Sequence, residues 1–135
     1  MKTMKTLALF LVLLAGAQFA SGQVQYHEHE RTDEVLIEYR WQKERFFARN
    51  PNALLNLRMT NLTDEPLVIR FTVGFYRDHQ LFFESEEQEV RLAPGESVRG
   101  RRDDLRFRAE DIYMDTVEED WFSWDMPFVE VGSRE

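Results

Sequence analysis

The residues best equipped for chemistry lie near the start of the chain, in "HEHE", His27 to Glu30. Alternate side chains of an extended backbone share a side, so His27 and His29 project together. Paired imidazoles suit zinc, copper or nickel, and His79 could add a third ligand. The same stretch also reads as a polar, frayed N-terminal segment. Two histidines without a placed third ligand do not define a site, so no metal and no other cofactor is assigned. Nucleophilic catalysis finds little support. There is no Cys, no Gly-x-Ser-x-Gly elbow, and only three His residues could serve as a base. No Gly-rich phosphate loop is present. Acids are abundant, but acids on strand faces and turns are usually just solvated. The expectation is a protein without enzymatic activity and without catalytic residues.

Two further clusters could bind rather than react. "RGRRDDLRFR" holds Arg99, Arg101, Arg102, Arg106 and Arg108. Alone, it suggests an anionic partner. It also contains Asp103 and Asp104 and follows the acidic "ESEEQE". If those segments pair as neighbouring strands, Arg and Glu face each other across the ladder. The second cluster is "DWFSWDMPF", with Trp121, Phe122, Trp124 and Phe128. It could form a binding surface, either a protein interface or a platform for stacking sugars. On a strand Phe122 and Trp124 point one way and Trp121 the other, which also suits a core pair plus one edge aromatic. Asn61-Leu62-Thr63 is an N-glycosylation sequon within a predicted turn.

The elements that must position these residues follow a leader. "MKTMKTLALFLVLLAGAQFASGQ" has Lys2 and Lys5, an apolar run from Leu7 to Ala15, and small residues at its end. This is the form of a secretory signal peptide, with cleavage fitting best after Gly22 and next after Ala20. The apolar run is shorter than the roughly 20 residues that span a bilayer. Residues 1–22 are therefore expected to be removed, leaving 23–135 as one β-sandwich domain without membrane insertion, secreted or periplasmic. Removal takes two lysines and no acid, so the formal charge moves from −8 to −10. A domain this acidic repels nucleic acid and anionic membrane surfaces. With no Cys there is no disulfide, and stability must come from the core.

Period-two patterns dominate the remainder. "VLIEYRW" sets Val35, Ile37, Tyr39 and Trp41 on one face. "LLNLRMTN" sets Leu55, Leu57 and Met59 inward and Asn56, Arg58 and Thr60 outward. After the polar turn Asn61–Pro66, a strand from Leu67 to Tyr76 places Leu67, Ile69, Phe71, Val73 and Phe75 together. "RDHQ" turns the chain into "LFFES", "EVRLAPGESV" gives a short strand and a Pro-Gly turn, "DLRFRA" alternates again, and "FVEVG" is the last strand. "AEDIYMDTVEEDWF", residues 109–122, has good helix formers and admits one short helix. Frequent turns between short strands predict an all-β fold, an antiparallel sandwich or barrel.

"LNLRMTNLTDEPLVIRFTVGFYRDHQLFFES" followed by "VRLAPGESV" resembles the small exported immunoglobulin-like sandwiches of FxLYD type. The shared features are a strand ending in a polar turn at Asn61, a next strand ending in Phe75-Tyr76-Arg77-Asp78, and the turn Pro94-Gly95-Glu96. The resemblance implies an antiparallel immunoglobulin-like β-sandwich acting as a non-catalytic accessory or interaction module. Exposed-face positions such as Val68, Tyr76 and Phe82, or a free sheet edge, are then expected to meet a protein partner or a second copy. The alternative is a carbohydrate- or cell-envelope-binding module using the C-terminal aromatics.

Overall fold

A computed structural model describes residues 25–45, 49–100 and 105–133. The expected leader lies outside them, as do Arg101 and Arg102. Among the described residues there are nine strands and no helix: β1 His27–Arg31, β2 Val35–Lys43, β3 Asn52–Asn61, β4 Leu67–Arg77, β5 Gln80–Glu84, β6 Gln88–Leu92, β7 Ser97–Arg99, β8 Arg106–Tyr113 and β9 Phe122–Ser133.

They form two antiparallel sheets. In the first, β1, β2 and β3 run side by side, and the far edge of β3 is shared by β8 along Asn52–Asn56 and by β7 along Arg58–Thr60. In the second, β4 is central. One of its edges is shared by β6, opposite Leu67–Phe71, and β5, opposite Gly74–Arg77. The other edge carries β9 from Leu67 to Arg77. The two long, apolar strands β3 and β4 thus lie inside their sheets, where both edges are paired.

The alternation explains the core. Val35, Ile37, Leu55, Leu57 and Met59 of the first sheet meet Leu67, Ile69, Phe71, Val73 and Phe75 of the second, all buried. Phe71 meets Phe107 of β8 edge to face at 6.0 Å. Burying one such side chain is worth about 1.5–3 kcal/mol, so a core of this size can hold a fold without disulfides.

The turns are set by residue type. Asp78 and His79 both adopt positive φ, 50° and 68°, in the two-residue loop between β4 and β5. That geometry matches the twist of the strands it joins. His79 is therefore an exposed turn residue. Gly95, at φ 73°, follows Pro94 in the turn closed by Glu96 N–H donating to Ala93 O at 3.0 Å. Asn61 ends β3 and is 1 % exposed. Its Oδ1 accepts from Thr63 N–H, and its Nδ2 donates to the carbonyls of Glu65, Leu92 and Ala93.

Three expectations need correction. Residues 109–122 contain no helix. β8 continues to Tyr113, and a series of turns leads from there to Trp121. A bulge between Ala109 and Tyr113, with Asp111 at φ 62° and its N–H donating to Asn52 Oδ1, returns Ile112 to the core. "HEHE" is not frayed but belongs to β1, paired with β2 from His27–Tyr39 to Arg31–Leu36. The last strand starts at Phe122 rather than Phe128. Pro127 sits within its bulge, where no ladder hydrogen bond is required of it.

Candidate functional site

The histidines of β1 reach across to β9. His29 stacks on Trp124 at 4.1 Å, its Nε2 lies 3.2 Å from Asp125 Oδ1, and its ring stands edge-on to Tyr39 at 6.2 Å. His27 also lies against Tyr39, at 5.5 Å. Among the described residues, no group of three or more His, Cys, Asp or Glu is placed to hold a metal ion. His29 instead joins the outer strands of the two sheets through Trp124 and Asp125, while His27 rests on Tyr39 within the first sheet.

The three C-terminal aromatics part company. Phe122 is 6 % exposed and packs against Trp41 and Phe75. Trp124 is half-buried, with one face covered by His29. Trp121 is half-buried under the Arg77 guanidinium, 4.7 Å from its ring centre, and its carbonyl accepts from Asp78 N–H at 2.7 Å. Strand parity sets Trp121 apart from the other two, but Trp121 lies in a turn, not on the strand.

The exposed apolar side chains gather elsewhere. Leu81, Phe82 and Phe83 of β5 are 46 %, 43 % and 40 % exposed. Three consecutive apolar residues cannot all face one way on a regular strand. A bulge places Phe83 opposite Phe75 and Leu81 opposite Tyr76, leaving Phe82 as the extra residue. Phe83 stacks on Phe75 at 5.2 Å. Leu81 and Pro127 approach each other over Gly74, where any Cβ would stand 2.8 Å and 2.9 Å from them. Phe128, also exposed, is paired with Thr72 nearby. Leu81, Pro127 and Phe128 therefore make an apolar strip on the outer face of the second sheet at its β5 end, while Phe83, opposite the buried Phe75, lies on the inner side of its margin. Its neighbour Tyr76 has a phenol pushed above its usual range by burial, helped by the charges of Asp125 and Glu84.

Beside that strip lies a recess of about 580 Å³ between the sheet margins, lined by Phe83, Glu84, Ser85, Gln88, Arg106 and Phe107. β5 pairs with β4 alone, and β8 with β3 alone, so each presents an unpaired backbone edge here among the described residues. Leu81 and Phe83 escaped the sequence reading, whereas Phe128 was grouped with the C-terminal aromatics. The run "LFF" was the available signal, because one of its members had to face outward.

The strands of the Arg cluster do not lie beside the acidic run expected to face them. β6, with Glu89, lies in the second sheet, while β7 and β8 lie in the first, so the expected Arg–Glu ladder does not form. Glu89 instead pairs with Arg70 and Arg91, which hold its carboxyl below the usual range. Arg58 makes two bonds to Glu38, at 2.8 and 3.0 Å, and Arg108 meets Glu44 at 2.8 Å.

Fold and surface together define an all-β, two-sheet antiparallel protein with an apolar margin at β5, unpaired among the described residues. Comparison with known protein families, with curated proteins and with solved structures gives no match.

Proposed function

We propose that this chain is an exported, non-catalytic β-sandwich of immunoglobulin-like type, related in design to the FxLYD-type domains, that works by binding another protein as an accessory or assembly subunit. One observation carries the reading: the exposed Leu81, Phe82 and Phe83 stand on a strand whose outer edge is unpaired among the described residues. An extended segment of a partner could add to that edge, its backbone bonding to β5 and its side chains entering the recess beside Phe83 and Phe107. Apolar anchors next to free N–H and C=O groups supply both affinity and register. A sugar-stacking role for Trp121, Phe122 and Trp124 has less support, since Phe122 is buried and the other two rings are covered on one face by Arg77 and His29.

Native mass spectrometry of the exported protein from its source tests this. The expected result is a complex with a second polypeptide, weakened at least tenfold by Phe82→Asp in a variant that melts at the native temperature. A monomer under all conditions, or a complex indifferent to Phe82→Asp and Leu81→Asp, overturns the reading.

A further inference from the structure

The outer face of the first sheet carries a row of polar side chains crossing three strands. Arg40 of β2 is opposite Asn56 of β3, which is opposite Arg106 of β8. Directly opposed residues share a face, and two strand spacings put the flanking Cα atoms about 10 Å apart. Two arginines therefore stand on either side of a short side chain. They border a recess of about 460 Å³, with Gln42 and Tyr26 also on its wall.

Two nearby cations are neutralised. Arg58 is taken by Glu38, and Arg108 by Glu44. Arg40 and Arg106 are different: the Nε of each is buried and has no hydrogen-bond partner. Arg40 is 5.2 Å from the Tyr26 ring centre, a contact with the ring face that gives its Nε–H no acceptor. Asn56 Nδ2 donates to Gln42 Oε1 at 3.1 Å, so the Gln42 amide N–H₂ remains as a further donor beside Arg40. A buried guanidinium N–H without an acceptor is costly, and on a chain with 25 acids a carboxylate would be the simplest remedy. None of the described residues supplies one to either Nε.

We infer that this row is a binding site for a compact oxyanion, a phosphate or sulfate group bridging Arg40 and Arg106 above Asn56. The planar guanidinium fork matches two oxygens of such a group, and two forks, one from each strand flanking β3, offer a tetrahedral ion more donors than a single carboxylate could use. The overall negative charge acts against polyanions and leaves room for one small dianion held by short-range bonds. The site is separate from the β5 strip, although Arg106 also borders the recess at the sheet margin. Arg40 does not, which makes it the informative position.

The test is titration of the purified protein with inorganic phosphate and with sulfate at constant ionic strength, followed by calorimetry and by the NMR signals of the arginine Nε–H groups. Saturable binding is expected, with the Arg40 and Arg106 signals moving together. Arg40→Gln and Arg106→Gln should each weaken it at least tenfold, and Arg108→Gln should leave it within twofold. Arg40→Lys keeps the charge but not the fork, and should still weaken binding severalfold if Arg40→Gln proves unstable. Phenyl phosphate distinguishes the source: binding equal to phosphate supports a terminal group on a larger ligand, and much weaker binding supports the free ion. Shifts that do not saturate, or phosphate affinity unchanged in both Arg40 variants, would overturn the inference.

Discussion

Asn61, the last residue of β3, donates from its side-chain amide to the main-chain carbonyl of Leu92, the last residue of β6, at 3.2 Å. One buried side chain thereby fastens the end of one sheet to the end of the other. The same nitrogen serves Glu65 O and Ala93 O. The sequon at Asn61 is thus occupied by structure.

Asn61→Ala should cost about 3 kcal/mol, because buried carbonyls lose their donor and each unsatisfied group costs about 1–3 kcal/mol. Urea unfolding measures the loss. Folded material secreted by a eukaryotic host should carry no glycan on Asn61, since the modified nitrogen could not make these bonds. Peptide mapping reads that directly, and a fully glycosylated, normally stable product would contradict it.

Gly74 is the point where Leu81 and Pro127 meet. A Cβ there stands under 3.0 Å from both, so Gly74→Ala should destabilise by about 1–3 kcal/mol through overpacking. Leu81→Ala in the same chain should recover part of that loss. The double-mutant cycle decides: strict additivity would mean the two positions do not touch.

Trp121, in the turn before β9, and Phe122, its first residue, should separate in thermal melts. Phe122→Ala removes a buried ring and should cost about 3–5 kcal/mol, as should Phe71→Ala. Trp121→Ala removes a half-buried ring and its Arg77 contact, the latter worth about 0.5–1 kcal/mol, and should cost clearly less. Equal losses at 121 and 122 would place both in the core.

Tyr76 sets an alkaline limit. Its folded phenol holds its proton above the ordinary value of 10.0, because burial and the nearby Asp125 and Glu84 disfavour the phenolate. The folded state then binds more protons than the unfolded one as pH rises past that value, so stability is full below it and falls above. Tyr76→Phe should flatten the fall, read as urea midpoints between neutral pH and the alkaline range. An unchanged slope would mean that Tyr76 does not control it.

The long strands were legible because one face of each is regularly apolar. Val35 and Ile37, Leu55 to Met59, and Leu67 to Phe75 show period two and lie in the core. β1 was not legible as a strand, since all of "HEHER" is polar and its order comes from pairing with β2. Residues 109–122 misled for a geometric reason. Ala109 and Ile112 stand three apart, which is helical spacing, and on a regular strand they would face opposite ways. The bulge at Glu110 and Asp111 turns both into the core without a helix. Arg40 could not be joined to Arg106 from sequence because 66 positions separate them and only the β2–β3–β8 register makes them neighbours.

β9 is the final strand described, and it covers the whole of one edge of β4, to which it brings Phe122 and Met126 for the core. A chain made from its N-terminus cannot close the second sheet until that strand has emerged. Such late, long-range closure delays folding, because the entropy of ordering the intervening chain is lost before any pairing is gained. During this interval β4 is a template with one blank side, open to any extended segment that arrives first. Pairing along that side of β4 is therefore a race for a single place, and the advantage of β9 is that it is tethered.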